Sequence, residues 1–69
     1  MNDERPKTVL GAALGECVHV AGVLNFLRLA EAEGYRTLFT GPATPVDALV
    51  AAVHRESPEI VAVSYRLTP

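Results

Sequence analysis

The segment Gly15-Glu16-Cys17-Val18-His19-Val20-Ala21-Gly22 brings a thiol, an imidazole and two glycines together within one short stretch. His19 admits three roles: a metal ligand, a general base, or a packed histidine bonded to backbone. Cys17 reads as a nucleophile if a helix N-terminus lowers its pKa, and as a small buried hydrophobe otherwise. A phosphatase-type cysteine is excluded, because Val23 stands six residues on where that chemistry needs arginine. Nucleotide-binding loops fail too: the chain has no GxxxxGK, and Gly11, Gly15 and Gly22 do not fit GxGxxG. Gly22 serves either as a spacer for close helix-to-sheet packing or as room for a ligand against the backbone. Further along, Ser64 supplies a hydroxyl and Arg66 a fixed positive charge, the former able to satisfy backbone and the latter to meet solvent or an anionic ligand group. His54, among Arg55 and Glu56, reads as surface.

These residues need elements to place them. Residues 8–14 form an apolar run without alternation, the pattern of a strand buried on both faces. Val20, Val23, Leu24, Leu27 and Ala30 then recur at helical spacing, and Gly34 suits the left-handed position just past a helix end. Residues 36–40 read as a second strand, broken by Gly41-Pro42. Thr44-Pro45-Val46-Asp47 predicts a helix start with Thr44 as N-cap and Pro45 at the first helical position. Its expected buried stripe is Val46, Leu49, Val50 and Val53, and Ser57-Pro58 ends it. Ile60-Val61-Ala62-Val63-Ser64 is the third strand. The order β-α-β-α-β with doubly buried strands implies an α/β, flavodoxin-like doubly wound parallel sheet of order 2-1-3. Ligands of such sheets bind beyond the carboxyl ends of the strands, where the order switches between strands 1 and 3. Segments 15–22 and 64–68 converge there.

Sixty-nine residues make one domain, with an expected stability of only about 3–10 kcal/mol. At 49% hydrophobic and 20% charged the chain is of globular composition, with residues 1–6 as a flexible lead-in and 7–69 as the domain. Six basic and eight acidic residues, with no basic stripe, argue against nucleic acid as a partner. A single cysteine excludes an intrachain disulfide framework and points to a reducing, cytoplasmic setting. No apolar run approaches the roughly 20 residues that span a bilayer, so no membrane partner is expected.

The chain resembles the cobalamin (vitamin B12)-binding domains of methionine synthase, the carbon-skeleton mutases and corrinoid methyltransferase carrier proteins. The matching stretches are His19-Val20-Ala21-Gly22, residues 35–41, Thr44-Pro45-Val46-Asp47 and Val63-Ser64-Tyr65-Arg66-Leu67-Thr68. The resemblance implies a corrinoid cofactor with His19 as the lower axial ligand of cobalt. Gly22 would make room for the nucleotide tail, Ser64 would hydrogen-bond it, and Thr68 would lie near the corrin or tail. Cys17 stands where the family has the aspartate that orients the histidine, so weaker axial ligation is expected. Arg66 stands where the family has an apolar residue, which would favour a phosphate contact or disfavour the tail. The implied function is a cobalamin-binding module, not an enzyme alone, serving a partner methyltransferase or mutase. The chain corresponds to the N-terminal half of such a domain. Strand 60–64 is then an edge expected to pair in a homo-oligomer, with another subunit or within a longer chain. The alternative is a cofactor-free interaction or regulatory domain of the same fold.

Overall fold

The computed structural model describes residues 7–15 and 20–65. Five elements follow one another: β1 (Thr8–Ala13), α1 (Ala21–Ala32), β2 (Arg36–Phe39), α2 (Val46–Glu56) and β3 (Ile60–Ser64). The strands form one parallel sheet of order β2-β1-β3, the expected doubly wound, flavodoxin-like arrangement. The lead-in at residues 1–6 lies outside the described residues.

All six residues of β1 are buried, because this strand is bonded on both edges and covered on both faces. Strand alternation divides its side chains. Val9 and Gly11 face α1, where Val9 packs with Val23, Leu27 and Ala30, and Tyr35 and Phe39 close over the cluster. Leu10 faces the other way, toward Leu38 and the small residues Ala48 and Ala52 of α2. The two helices therefore cover opposite faces. At the start of the sheet Glu59 accepts the Thr8 backbone N–H through its carboxylate (2.7 Å) and donates its own N–H to the Thr8 carbonyl (2.9 Å).

Helix α1 ends as its sequence suggests. The Gly34 N–H bonds the Glu31 carbonyl and the Tyr35 N–H bonds the Ala30 carbonyl, a pairing that needs residue 34 left-handed; its φ is 98°. Ser57 ends α2 in a left-handed conformation with its N–H on the Val53 carbonyl, ahead of Pro58.

Three expectations are corrected. Thr44 does not cap α2: its N–H and carbonyl are both drawn into the end of β1, so Pro45 takes the N-cap position and Val46 begins the helix. Of the expected stripe of α2, Leu49 and Val53 are half-buried, but Val46 and Val50 are 62% and 49% exposed and Ala52 is the buried residue. Ala52 turns to the side of the sheet that carries Leu10 and Leu38, and Val46 and Val50 are left to one side. Finally, β3 is not buried on both faces; as an edge strand it leaves Val61 and Val63 about 40% exposed.

The seat of α1 on β1 depends on residue 11. A Cβ added there would lie 2.7 Å from Val23 Cγ1 and 2.9 Å from Leu27 Cδ1. Overpacking of this kind costs about 1–3 kcal/mol, a large share of what a chain this small possesses. Gly11→Ala is therefore expected to lower the urea midpoint clearly; an unchanged midpoint would show that α1 does not seat where the contacts put it.

Candidate functional site

All three strands run the same way, so their carboxyl ends share one edge of the sheet. Helix α1 starts at this edge. The end of β1 is held from both sides there. On one side the Leu14 N–H donates to the Ser64 carbonyl at 2.9 Å. On the other, the Thr44 N–H donates to the Ala13 carbonyl and the Gly15 N–H to the Thr44 carbonyl, each at 2.7 Å, with Leu14 and Thr44 forming a parallel bridge. The chain leaves this clamp at Gly15, whose φ of 61° is a left-handed conformation that a side chain would disfavour.

Of the predicted site residues, the structure places Gly22 and Ser64. Gly22 lies in the first turn of α1, exposed, and a Cβ added to it would meet no atom of the described residues within 4 Å. Its reading as a packing spacer is thereby removed, and Gly11 holds that role instead. Ser64 ends β3, half-buried and paired in register with Ala13, on the face of the sheet that α1 covers. Gly22 and Ser64 thus stand at the same edge and on the same side of the sheet. Cys17, His19, Arg66 and Thr68 lie outside the described residues. His54 is exposed on α2, as expected for a surface residue.

A pair of hydroxyls at this edge was not singled out from the sequence. Thr44, 4% exposed, donates its hydroxyl proton to the Gly41 carbonyl at 2.8 Å. A hydroxyl has one proton, so the 2.8 Å contact between the two threonine hydroxyls is a bond donated by Thr40 to Thr44. The available signal was the spacing Thr40-Gly41-Pro42-Ala43-Thr44, two threonines flanking a Gly-Pro turn.

Among the described residues no group of three or more histidine, cysteine, aspartate or glutamate side chains could hold a metal ion. Nor is any helix among them long and apolar enough to cross a membrane. What the described edge offers is the first turn of α1 at Gly22 and, on the same side of the sheet, Ser64 at the end of β3. Such a place suits a flat or elongated ligand approaching backbone closely. Comparison with protein-family models, with curated proteins and with solved structures finds no match to the chain.

Proposed function

We propose that this protein is a cobalamin-binding module that presents its corrinoid to a partner methyltransferase or mutase in a reducing, cytoplasmic setting. The observation that carries this reading is the open first turn of α1 at Gly22, on the same edge and face as Ser64. The described part of the site fits the group. A nucleotide tail needs a slot beside backbone, and Gly22 leaves one; it needs a polar partner, and Ser64 stands across from it. His19, by type and by its place three residues before Gly22, offers a nitrogen to cobalt. Cys17 is the residue next to it but one, and a thiol orients an imidazole less well than a carboxylate does. Arg66 and Thr68 follow Ser64 in the chain and supply a charge and a hydroxyl to the same cofactor. The corrinoid would bring the methyl-transfer or mutase chemistry that no side chain of this protein can. The protein itself binds, orients and excludes water.

The decisive experiment is a visible-spectrum titration of the folded chain with hydroxocobalamin, alongside His19→Ala. Saturable binding with a spectral shift is expected, and His19→Ala should lose the shift and bind about 10–100-fold more weakly. A folded chain that leaves the spectrum unchanged ends the cofactor reading. Gly22→Ala separates site from fold: it should hold or raise the melting temperature, since alanine favours a helix by up to about 1 kcal/mol over glycine, yet weaken cobalamin binding. Equal binding by Gly22→Ala would remove the observation on which the proposal rests.

A second reading is favoured by β3. That strand carries no charged residue, lies at the sheet edge, and exposes Val61 and Val63. In this reading the chain is a cofactor-free interaction module whose β3 pairs with another strand, of a second copy, another subunit or a longer protein. Sedimentation at high concentration is expected to show association that Val61→Lys abolishes. A clean monomer would exclude pairing between copies.

A further inference from the structure

The outer edge of β3 has no strand partner among the described residues. Which of its backbone groups face that edge follows from the inner one. The Leu14 N–H bonds the Ser64 carbonyl, so Ser64 and, by strand alternation, Ala62 turn their backbone groups to β1. Val61 and Val63 turn theirs outward. The side chains alternate as well: Ala62 pairs with Gly11 and shares the face of α1, while Val61 and Val63 pair with Leu10 and Ala12 on the opposite face, 41% and 40% exposed. We infer that β3 is the interface of a symmetric dimer, in which two copies pair antiparallel about Ala62 and join their three-stranded sheets into one continuous sheet. The inference rests on the interaction reading and gives it a partner, an orientation and a register.

Val61-Ala62-Val63 reads the same in both directions. An antiparallel β3 of a second copy therefore meets it as its own complement, as a two-fold interface requires. With Ala62 opposite the partner's Ala62, Val61 faces the partner's Val63, and Val63 faces the partner's Val61. The outward N–H and C=O groups of the valines then exchange both bonds of each such pair, and the valine side chains cover one another on one face. In the neighbouring registers that keep the outward groups opposed, Val63 falls against the partner's Glu59, or Val61 against the partner's Tyr65. Only the register about Ala62 gives both valines a valine. No charge between Ile60 and Ser64 opposes the approach. The helices do not claim the edge either: α1 rests chiefly on β1 and β2, and α2 rests on β1, so β3 is the strand they cover least. A chain of 69 residues has much to gain from such an extension, because a small domain buries little of its surface alone.

The test is disulfide trapping in a Cys17→Ser background, where the introduced thiol is the only one. In the inferred dimer Ala62 and the partner's Ala62 form a non-hydrogen-bonded pair with Cα atoms about 4.5 Å apart, within bridging distance. Ile60 and the partner's Ile60 are out of step by roughly 14 Å along the strands, beyond it. Ala62→Cys is therefore expected to cross-link rapidly under mild oxidation and Ile60→Cys to stay unlinked. In the unsubstituted chain the Val61 and Val63 amide hydrogens should become protected from exchange as concentration rises, in step with dimer formation by sedimentation. Protection and dimer should both be lost in Val61→Lys; Val63→Lys takes its place if circular dichroism shows that variant unfolded. Cross-linking of Ile60→Cys in preference to Ala62→Cys overturns the inferred register while the interaction reading stands. A monomer at every concentration, with Ala62→Cys unlinked, overturns the second copy as occupant, and the interaction reading then requires a strand of another chain. A dimer that persists in both lysine variants runs through another surface and overturns the inference and the interaction reading together.

Discussion

Helix α1 can lie on β1 only because residue 11 has no side chain. With hydrogen there, Val23 and Leu27 descend to the backbone of the central strand; with a methyl group, both would have to move. That approach completes the burial of Val9 and brings Ala30 and Phe39 into one cluster. It also fixes the height of α1 over the sheet, and thereby where its first turn stands relative to the strand ends. Burial of the core and placement of the candidate site thus depend on the same contact. Local packing at the middle of β1 reaches the sheet edge through a rigid helix rather than through the intervening loop.

The two edges of the sheet are managed differently. β2 is short and begins with Arg36, whose guanidinium reaches Glu56 at the end of α2 at 3.6 Å. A charge at an edge discourages further strand addition, even though an exposed pair of this kind contributes at most about 1 kcal/mol to stability. β3 has no such guard between Ile60 and Ser64. Its valines and those of α2 lie on the α2 face, where the small residues of that helix leave the sheet incompletely covered. Apolar exposure on this side adds to that of Leu24, Phe26 and Leu29 on α1. It is the structural basis for the interaction reading, and it does not conflict with the cofactor reading, whose described residues Gly22 and Ser64 stand at the carboxyl end on the α1 face.

Much of the fold was legible because burial on two faces leaves an unalternating apolar run, as in residues 8–14, and because Gly34 and Pro58 mark stops by backbone geometry alone. The order 2-1-3 followed from those signals and the rules of parallel connection. The errors have physical causes as well. Periodicity locates the apolar side of α2 but not which flank of it meets the sheet; Ala52 is buried and Leu49 and Val53 half-buried, whereas Val46 and Val50 fall to the solvent side. Thr44 before Pro-x-Asp carries the same signal whether its hydroxyl turns toward the helix or back to Gly41, and only the neighbouring strand end decides. At the site, Gly22 and Ser64 were placed on the expected edge by topology, whereas Thr40 and Thr44 stayed hidden because hydroxyl pairs leave no periodic trace. For Cys17, His19, Arg66 and Thr68 the chain order establishes only which strand end each follows.

Gly11 and Gly22 show why a glycine must be read by what surrounds it. Both bear on α1, and both were open to the same explanation, close packing of helix and sheet. At Gly11 the fold itself demands the missing side chain, since a Cβ there would come within 3 Å of Val23 and Leu27. At Gly22 nothing in the described fold makes that demand. A glycine in a helix lowers its stability by up to about 1 kcal/mol relative to alanine, and here the packing returns nothing for it. The carboxyl ends of β1 and β3 lie on that side of α1 where Gly22 presents bare backbone. The cofactor reading draws its physical support from this difference between the two glycines, since only one of them is accounted for by the fold.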